Sequence, residues 1–157
     1  MLKGLSPEGT VPLSSWTCYN SGVDVLIIPE ARREIEAMRA FGPRPGTWGV
    51  LVGHKRGPRF IVEKMFPAGN ADTAPDERLL EGLEGVWPGG TIGLVAVRPG
   101  PAFLKAALGP AWFGKLVLQI TGTAKAPVLR SSVVGFEGKF RLVPVPLAPA
   151  AKEKTHE

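Results

Sequence analysis

Residues 46–66 have the sequence GTWGVLVGHKRGPRFIVEKMF, and this stretch decides which fold the chain can adopt. Its two apolar runs, 48–53 and 59–66, are rich in the β-branched and aromatic residues that favour strands. Gly57 and Pro58 between the runs are turn formers, so the stretch predicts two strands joined by a short basic turn. The other elements must therefore be arranged around two adjacent strands.

Upstream of these strands, the sequence predicts a buried strand followed by an amphipathic helix. Residues 23–28 form an apolar run broken only by Asp24, and Pro29 suits the first position of a helix. Apolar residues then recur at helical spacing until Gly42 and Pro43 end the helix. The apolar positions of this helix are Ala31, Ile35 and Met38.

Downstream, strands alternate with short helices. A loop at 70–75 leads into a short helix at 76–83, and the apolar, β-branched run 91–97 predicts a central strand. Prolines at 144 and 146 confine the last strand to a sheet edge, because proline cannot donate a ladder hydrogen bond. The order of elements predicts an α/β (α+β) protein with a mixed sheet flanked by helices. The remaining elements are a helix at 103–108 and strands at 116–121, 128–136 and 140–145.

Length and composition indicate one globular domain. A chain of 157 residues with 44% hydrophobic and 21% charged residues can bury one core. We expect an N-terminal arm at 1–22, the domain at 23–147 and a flexible C-terminal tail at 148–157. No stretch approaches the ~20 apolar residues needed to cross a bilayer, and the single cysteine, Cys18, excludes an internal disulfide. These features predict a cytoplasmic protein without a membrane contact.

The formal net charge of +5 raises the alternative of a nucleic-acid-binding domain. The basic residues, however, are spread along the chain and interleaved with acidic ones. The densest basic group surrounds the predicted turn at Gly57 and Pro58, which favours a solvated hairpin tip. That group consists of His54, Lys55, Arg56 and Arg59.

Two segments resemble motifs of the JAB/MPN metalloprotease family. Residues 46–53, GTWGVLVG, resemble the family segment Glu-x-x-Gly-[Val/Leu]-Leu-x-Gly. Residues 93–99, GLVAVRP, resemble Gly-[Trp/Leu]-x-His-[Ser/Thr]-His-Pro. Both segments lie on predicted strands, and the element order extends the resemblance over roughly 23–147. The resemblance implies a JAB/MPN (cytidine-deaminase-like) architecture.

The resemblance also implies that the catalytic groups of this family are missing. In active members the glutamate is the general base, two histidines and an aspartate hold zinc, and a serine assists the oxyanion. Here Gly46 stands at the glutamate position, Ala96 and Arg98 stand at the histidine positions, and the family spacing places Ala106 at the serine and Gly109 at the aspartate. Glycine and alanine offer no ligand atom, and arginine is a permanent cation.

This substitution pattern resembles the inactive, MPN-minus branch of the family, which implies a protein-interaction or scaffold module without metal or cofactor. The expected partner is another protein or a second copy of the chain. An unconventional hydrolase or isopeptidase-like enzyme is the alternative that this pattern leaves open. A different metal set, formed by Cys18, His54 and His156, is disfavoured because the three residues are widely separated in the sequence.

A concentration of large apolar residues around Gly109 and Pro110 is the candidate binding surface. Core packing is the alternative explanation, because most large apolar residues are buried. Those that are exposed would form a contact patch. The candidate binding residues are Phe103, Leu104, Trp112, Phe113 and Trp87.

Arg98 requires an explanation of its own if it occupies a former ligand position. An unpaired guanidinium buried in a pocket would cost several kcal/mol. We therefore expect either that its stem lies along apolar walls with the charged end in water, or that a carboxylate approaches it. The candidate carboxylates are Glu30, Glu34 and Glu63.

Overall fold

The two strands predicted within residues 46–66 are neighbours in a curled, mixed sheet of seven strands. The computed structural model describes residues 22–41, 45–123 and 125–148. The strands are β1 (Asp24–Ile27), β2 (Trp48–Arg56), β3 (Arg59–Gly69), β4 (Thr91–Val97), β5 (Leu116–Gly122), β6 (Pro127–Phe136) and β7 (Phe140–Pro144). The helices are α1 (Pro29–Phe41), α2 (Glu77–Val86) and α3 (Pro101–Ala107), with a short 3₁₀ turn at Pro110–Trp112.

The strand order is β1-β3-β2-β4-β5-β6-β7. The pairs β1/β3 and β4/β5 are parallel, and the other four pairs are antiparallel. After β7 the chain returns to β1, where the Val25 amide donates to the Pro146 carbonyl (3.0 Å) and the Ala148 amide donates to the Val25 carbonyl (2.7 Å). These bonds give β1 a second partner, so the sheet curls toward closure.

Helices cover the two faces of the sheet and create two cores. The first core contains the buried side chains of α1, namely Ala31, Ile35 and Met38, as the helical spacing predicts. The second core lies on the opposite face and includes Phe103 from α3 and Trp112 from the 3₁₀ turn. The mixed sheet flanked by helices is therefore confirmed as an α+β domain.

Glycines permit unusually close contacts between neighbouring strands. A Cβ atom on Gly53 would overlap the carbonyl oxygen of Ile61, and a Cβ atom on Gly93 would overlap that of Leu116. The strand register also shifts between Val52 and Gly53, which marks a bulge in β2. These positions accept only glycine without a shift of the backbone.

Most predicted elements are present with longer boundaries. The hairpin strands extend to 48–56 and 59–69, because their pairing continues beyond the apolar residues from which they were predicted. Helix α2 begins after Asp76, whose carboxylate accepts a hydrogen bond from the Leu79 amide at 2.9 Å. None of the helices within the described ranges is long and apolar enough to cross a membrane. Residues 1–21 and 149–157, which contain most of the predicted arm and tail, lie outside the described residues.

Candidate functional site

The position aligned with the catalytic glutamate is a tightly held turn. Gly46 has φ +93°, its amide donates to the Val97 carbonyl at 2.8 Å, and the Val97 amide donates to the Thr47 carbonyl at 2.8 Å. A Cβ atom on Gly46 would lie 2.7 Å from both the Cα and the Cβ of Ala71. The turn is therefore fixed against the end of β4, and a larger side chain at position 46 requires the neighbouring loop to move.

Ala96, aligned with the first ligand histidine, is part of the second core. It is fully buried and lies directly opposite Trp48 in the antiparallel register of β2 and β4. The Trp48 indole donates to Thr73, with 3.2 Å to the hydroxyl and 3.3 Å to the carbonyl. Its ring centroid lies 5.9 Å from that of Phe103. Aromatic packing thus surrounds the place where a histidine side chain would have to project.

Arg98, aligned with the second ligand histidine, faces different surroundings. It has φ +43° and is the only non-glycine residue of the described ranges with a positive φ. Its amide donates to the Ile120 carbonyl at 2.8 Å, and its exposed side chain lines a cavity with Arg39 and Val97. Ala96 belongs to the second core and Arg98 lines this cavity, because the left-handed backbone at Arg98 interrupts the alternation of an extended strand.

Arg98 is exposed to water, so its guanidinium does not bear the full cost of burial. The three candidate carboxylates contact other basic side chains. Glu30 and Glu34 lie 2.6 and 3.9 Å from the Lys64 ammonium, and Glu63 lies 3.5 Å from the His54 imidazole. The hydrogen bond from Lys64 lowers the pKa of Glu30 below its usual range.

The two remaining aligned positions lie around the end of α3. Ala106 is half-buried on that helix, and Gly109 precedes the 3₁₀ turn as its N-terminal cap. A Cβ atom on Gly109 would lie 3.4 Å from the Ala106 carbonyl oxygen. Within the described ranges, no three His, Cys, Asp or Glu side chains are grouped closely enough to hold a metal ion. Of the alternative metal set, Cys18 and His156 lie outside those ranges.

The candidate binding residues divide into buried and exposed ones. Phe103 is 3% exposed and Trp112 is 1% exposed, so both belong to the second core and neither can contact a partner. Trp112 is also fixed by a hydrogen bond from its indole nitrogen to the Pro75 carbonyl at 3.0 Å. Leu104 packs half-buried against the same core. Phe113, directly after the buried Trp112, is 57% exposed.

Phe113 belongs to an aromatic cluster that it forms with Phe136 and Phe140. The ring centroids of Phe113 and Phe140 are 6.3 Å apart, and those of Phe136 and Phe140 are 4.9 Å apart, both with edge-to-face geometry. Phe136 is 55% exposed. Sequence reasoning missed Phe136 and Phe140 as surface residues, although the predicted hairpin turn between them indicates that they face one another.

Trp87 contributes to a separate aromatic contact. It is 37% exposed and stacks on Phe66, with 5.2 Å between the ring centroids and 13° between the planes. Phe66 lies opposite Val50 of the second core in the β2/β3 register. Trp87 therefore covers part of the sheet while leaving one side of its ring to solvent.

The basic hairpin tip is exposed and makes several contacts within the protein. The Arg59 guanidinium donates two hydrogen bonds to the Asp24 carboxylate, both at 2.8 Å. Lys55 lies over the Phe60 ring, 4.8 Å from its centroid. These contacts hold part of the basic group against the sheet, in agreement with a solvated hairpin tip.

Comparison with known proteins identifies a similar fold. No protein family and no curated protein matches the chain. A solved structure that resembles it is the solution structure of protein DSY2949 from Desulfitobacterium hafniense, a structural-genomics target. The two chains are 18% identical, the match covers 85% of this chain and 99% of the other, and the TM-score is 0.57. At this identity the likeness concerns the fold alone.

Proposed function

We propose that the chain is a non-catalytic JAB/MPN-like domain that acts as a protein-interaction module. The observation that carries this proposal is how the motif positions are used. Gly53 and Gly93, which agree with the family motifs, stand where strands approach too closely for a side chain. Ala96 and Gly46, which depart from the motifs, are enclosed by neighbouring residues. The glycines that agree with the motifs allow the strands to approach, whereas two of the positions that would perform chemistry, 46 and 96, are filled by enclosed small residues.

The residues present do not fit a zinc ion. A catalytic zinc site needs three protein ligands around an open coordination position, and the aligned positions here supply alanine, arginine and glycine. Zinc in such enzymes lowers the pKa of bound water to about 7. A cation at Arg98 and an enclosed Ala96 offer no replacement for that effect.

The aromatic cluster is the surface that we assign to a protein partner. Phe113 and Phe136 are each more than half exposed, at 57% and 55%. The adjacent hairpin carries Lys139 and an ion pair of 2.9 Å between Arg141 and Glu137. An apolar centre beside charged residues is the usual anatomy of a protein interface, and aromatic residues dominate the binding energy of such surfaces. We propose that the partner is a different protein, whose apolar side chains cover the exposed rings.

Restoring the two histidines is expected not to restore metal binding. Ala96→His should also destabilise the protein by about 1–3 kcal/mol, because the imidazole must displace packed side chains of the second core. Calorimetric zinc titration of Ala96→His/Arg98→His, beside a variant that also carries Gly109→Asp, measures the outcome. The unmodified protein should contain no stoichiometric zinc and should leave isopeptide-linked substrates intact. Tight one-to-one zinc binding by the double variant, or zinc-dependent cleavage by the unmodified protein, would show that the proposal is wrong.

Removing the exposed rings is expected to abolish partner binding without unfolding the protein. Phe113→Ala/Phe136→Ala should lose any partner that the unmodified chain retains, and Val86→Ala, at a 66% exposed apolar residue elsewhere, should keep it. Affinity enrichment with the unmodified chain, the double variant and the control, run in parallel, identifies proteins that the double variant fails to retain. Titration with such a purified protein then measures the affinity of each variant. Equal retention by the double variant and the control would refute the assignment. Self-association of the unmodified chain in sedimentation that the double variant loses would also refute it, because a second copy would then cover the rings.

A further inference from the structure

A cavity lies where the parallel strands β4 and β5 end, beneath the C-terminal part of α1. Its volume is about 50 Å³, and its walls include Val97 and Ile120, which are paired in the β4/β5 register. A cavity needs roughly 10–15 Å³ to hold one water molecule, so this cavity has room for a small polyatomic group. Crevices at the carboxyl ends of parallel strands are common ligand sites in α/β proteins.

Two arginine residues line this cavity. Arg39 comes from the last turn of α1, and its side chain is only 23% exposed. The Glu36 carboxylate accepts hydrogen bonds from it at 2.9 and 3.1 Å. Arg98 comes from the end of β4. Two arginines in the lining of one cavity favour an anion, because arginine presents a planar set of donors that matches the oxygens of phosphate and carboxylate.

The backbone at Arg98 holds a conformation that non-glycine residues usually avoid. Its φ of +43° lies in the left-handed region, where the Cβ atom of an L-residue comes too close to the following carbonyl oxygen. The hydrogen bond of 2.8 Å from its amide to the Ile120 carbonyl helps to maintain that geometry. Such strain is found most often at ligand and active sites. In this protein, it directs the residue after β4 to the wall of the cavity.

The end of β5 and the turn that follows it contribute two threonines to the lining of the cavity. Thr121 and Thr123 both line the cavity, on either side of Gly122, whose φ is +83°. The Thr123 hydroxyl accepts a hydrogen bond from the Ala126 amide at 3.0 Å, which orients it. A hydroxyl that accepts one bond can still donate another, so Thr123 can complete the coordination of an anion.

We propose that this cavity is a binding site for an oxyanion, the phosphate or carboxylate group of a small ligand, between Arg39 and Arg98. The hydroxyl of Thr123 donates to the same group. The site uses none of the exposed aromatic rings, so it stands independently of the protein-interaction surface. Glu36 competes with the ligand for Arg39, which limits affinity and makes the site sensitive to that carboxylate.

Titration of the full chain with inorganic phosphate, at constant ionic strength and followed by amide chemical shifts, tests the proposal. We expect saturable shifts at residues 98 and 121–123 and a rise in thermal stability with phosphate concentration. Arg98→Gly and Arg39→Gln should each weaken binding about tenfold, since each removes a charge-assisted contact. Glycine adopts a positive φ without strain, so Arg98→Gly should remain folded. Glu36→Gln should strengthen binding.

Arg78→Ala is the matched control, because it removes one positive charge from α2, on the other face of the sheet. It should bind phosphate within about twofold of the unmodified chain. A parallel titration with acetate separates the two ligand classes: tighter binding of acetate assigns a carboxylate, and tighter binding of phosphate assigns a phosphoryl group. Failure of both anions to saturate, or equal weakening by Arg78→Ala and Arg98→Gly, overturns the site.

Discussion

Replacing Gly93 with alanine is expected to destabilise the protein by at least about 3 kcal/mol, at or beyond the upper end of typical overpacking effects. The added Cβ atom would overlap the carbonyl oxygen of Leu116, which belongs to the adjacent strand β5. Gly93 also pairs with Leu51 of β2, so β4 is held on both edges and cannot move aside without breaking ladder bonds. Urea unfolding followed by tryptophan fluorescence measures the loss of stability.

Gly82→Ala provides the control for that substitution. Gly82 is exposed within helix α2, and a Cβ atom there would meet nothing within 4 Å. Alanine should therefore raise the free energy of unfolding by about 0.5–1 kcal/mol, because glycine is the poorer helix former. If the two alanine variants were equally stable, the close approach of β4 and β5 would be incorrect.

Truncation of Trp112 should have the second large effect, a destabilisation of about 3–5 kcal/mol for Trp112→Ala. The side chain is 1% exposed and packs in the second core. Trp112→Phe retains most of the ring volume but leaves the Pro75 carbonyl without the 3.0 Å hydrogen bond, which should cost about 1–3 kcal/mol. Chemical denaturation of both variants separates the packing contribution from that of the hydrogen bond.

Trp87→Ala is the appropriate comparison because it removes the same side chain at a 37% exposed position. The substitution chiefly removes the stacking of the indole on Phe66, so it should destabilise the protein by about 1 kcal/mol. Greater destabilisation by Trp87→Ala than by Trp112→Ala would contradict the assignment of Trp112 to the core and Trp87 to the surface.

Sequence patterns were sufficient for the elements but insufficient for the surface. Alternating and continuous apolar runs predict the strands because each strand needs only local signals, and Pro29 and Asp76 mark helix starts for equally local reasons. The exposure of a side chain, by contrast, does not follow from local patterns. Phe103 and Phe113 are the same residue type, ten positions apart, yet one is 3% and the other 57% exposed. That difference depends on how α3 and the 3₁₀ turn pack against β5 and β6.

At the candidate sites, too, residue type can be read from the sequence, whereas the direction of a side chain cannot. The absence of ligand atoms at positions 46, 96 and 109 is visible in the sequence, because no conformation can give glycine or alanine a coordinating group. The direction in which Arg98 projects is not visible, since it follows from a left-handed backbone at the end of β4. Its proximity to Arg39 likewise follows from the packing of α1 over the sheet.

The sequence by itself determined the order of strands and helices, the apolar face of α1 and the lack of coordinating atoms at positions 46, 96 and 109, because these depend on residue type and local spacing. Only the tertiary structure decided the return of the chain from β7 to β1, the separation of Ala96 from Arg98, and the grouping of Phe113 with Phe136. Those features arise from contacts between residues far apart in the chain, and local propensity carries no information about such contacts.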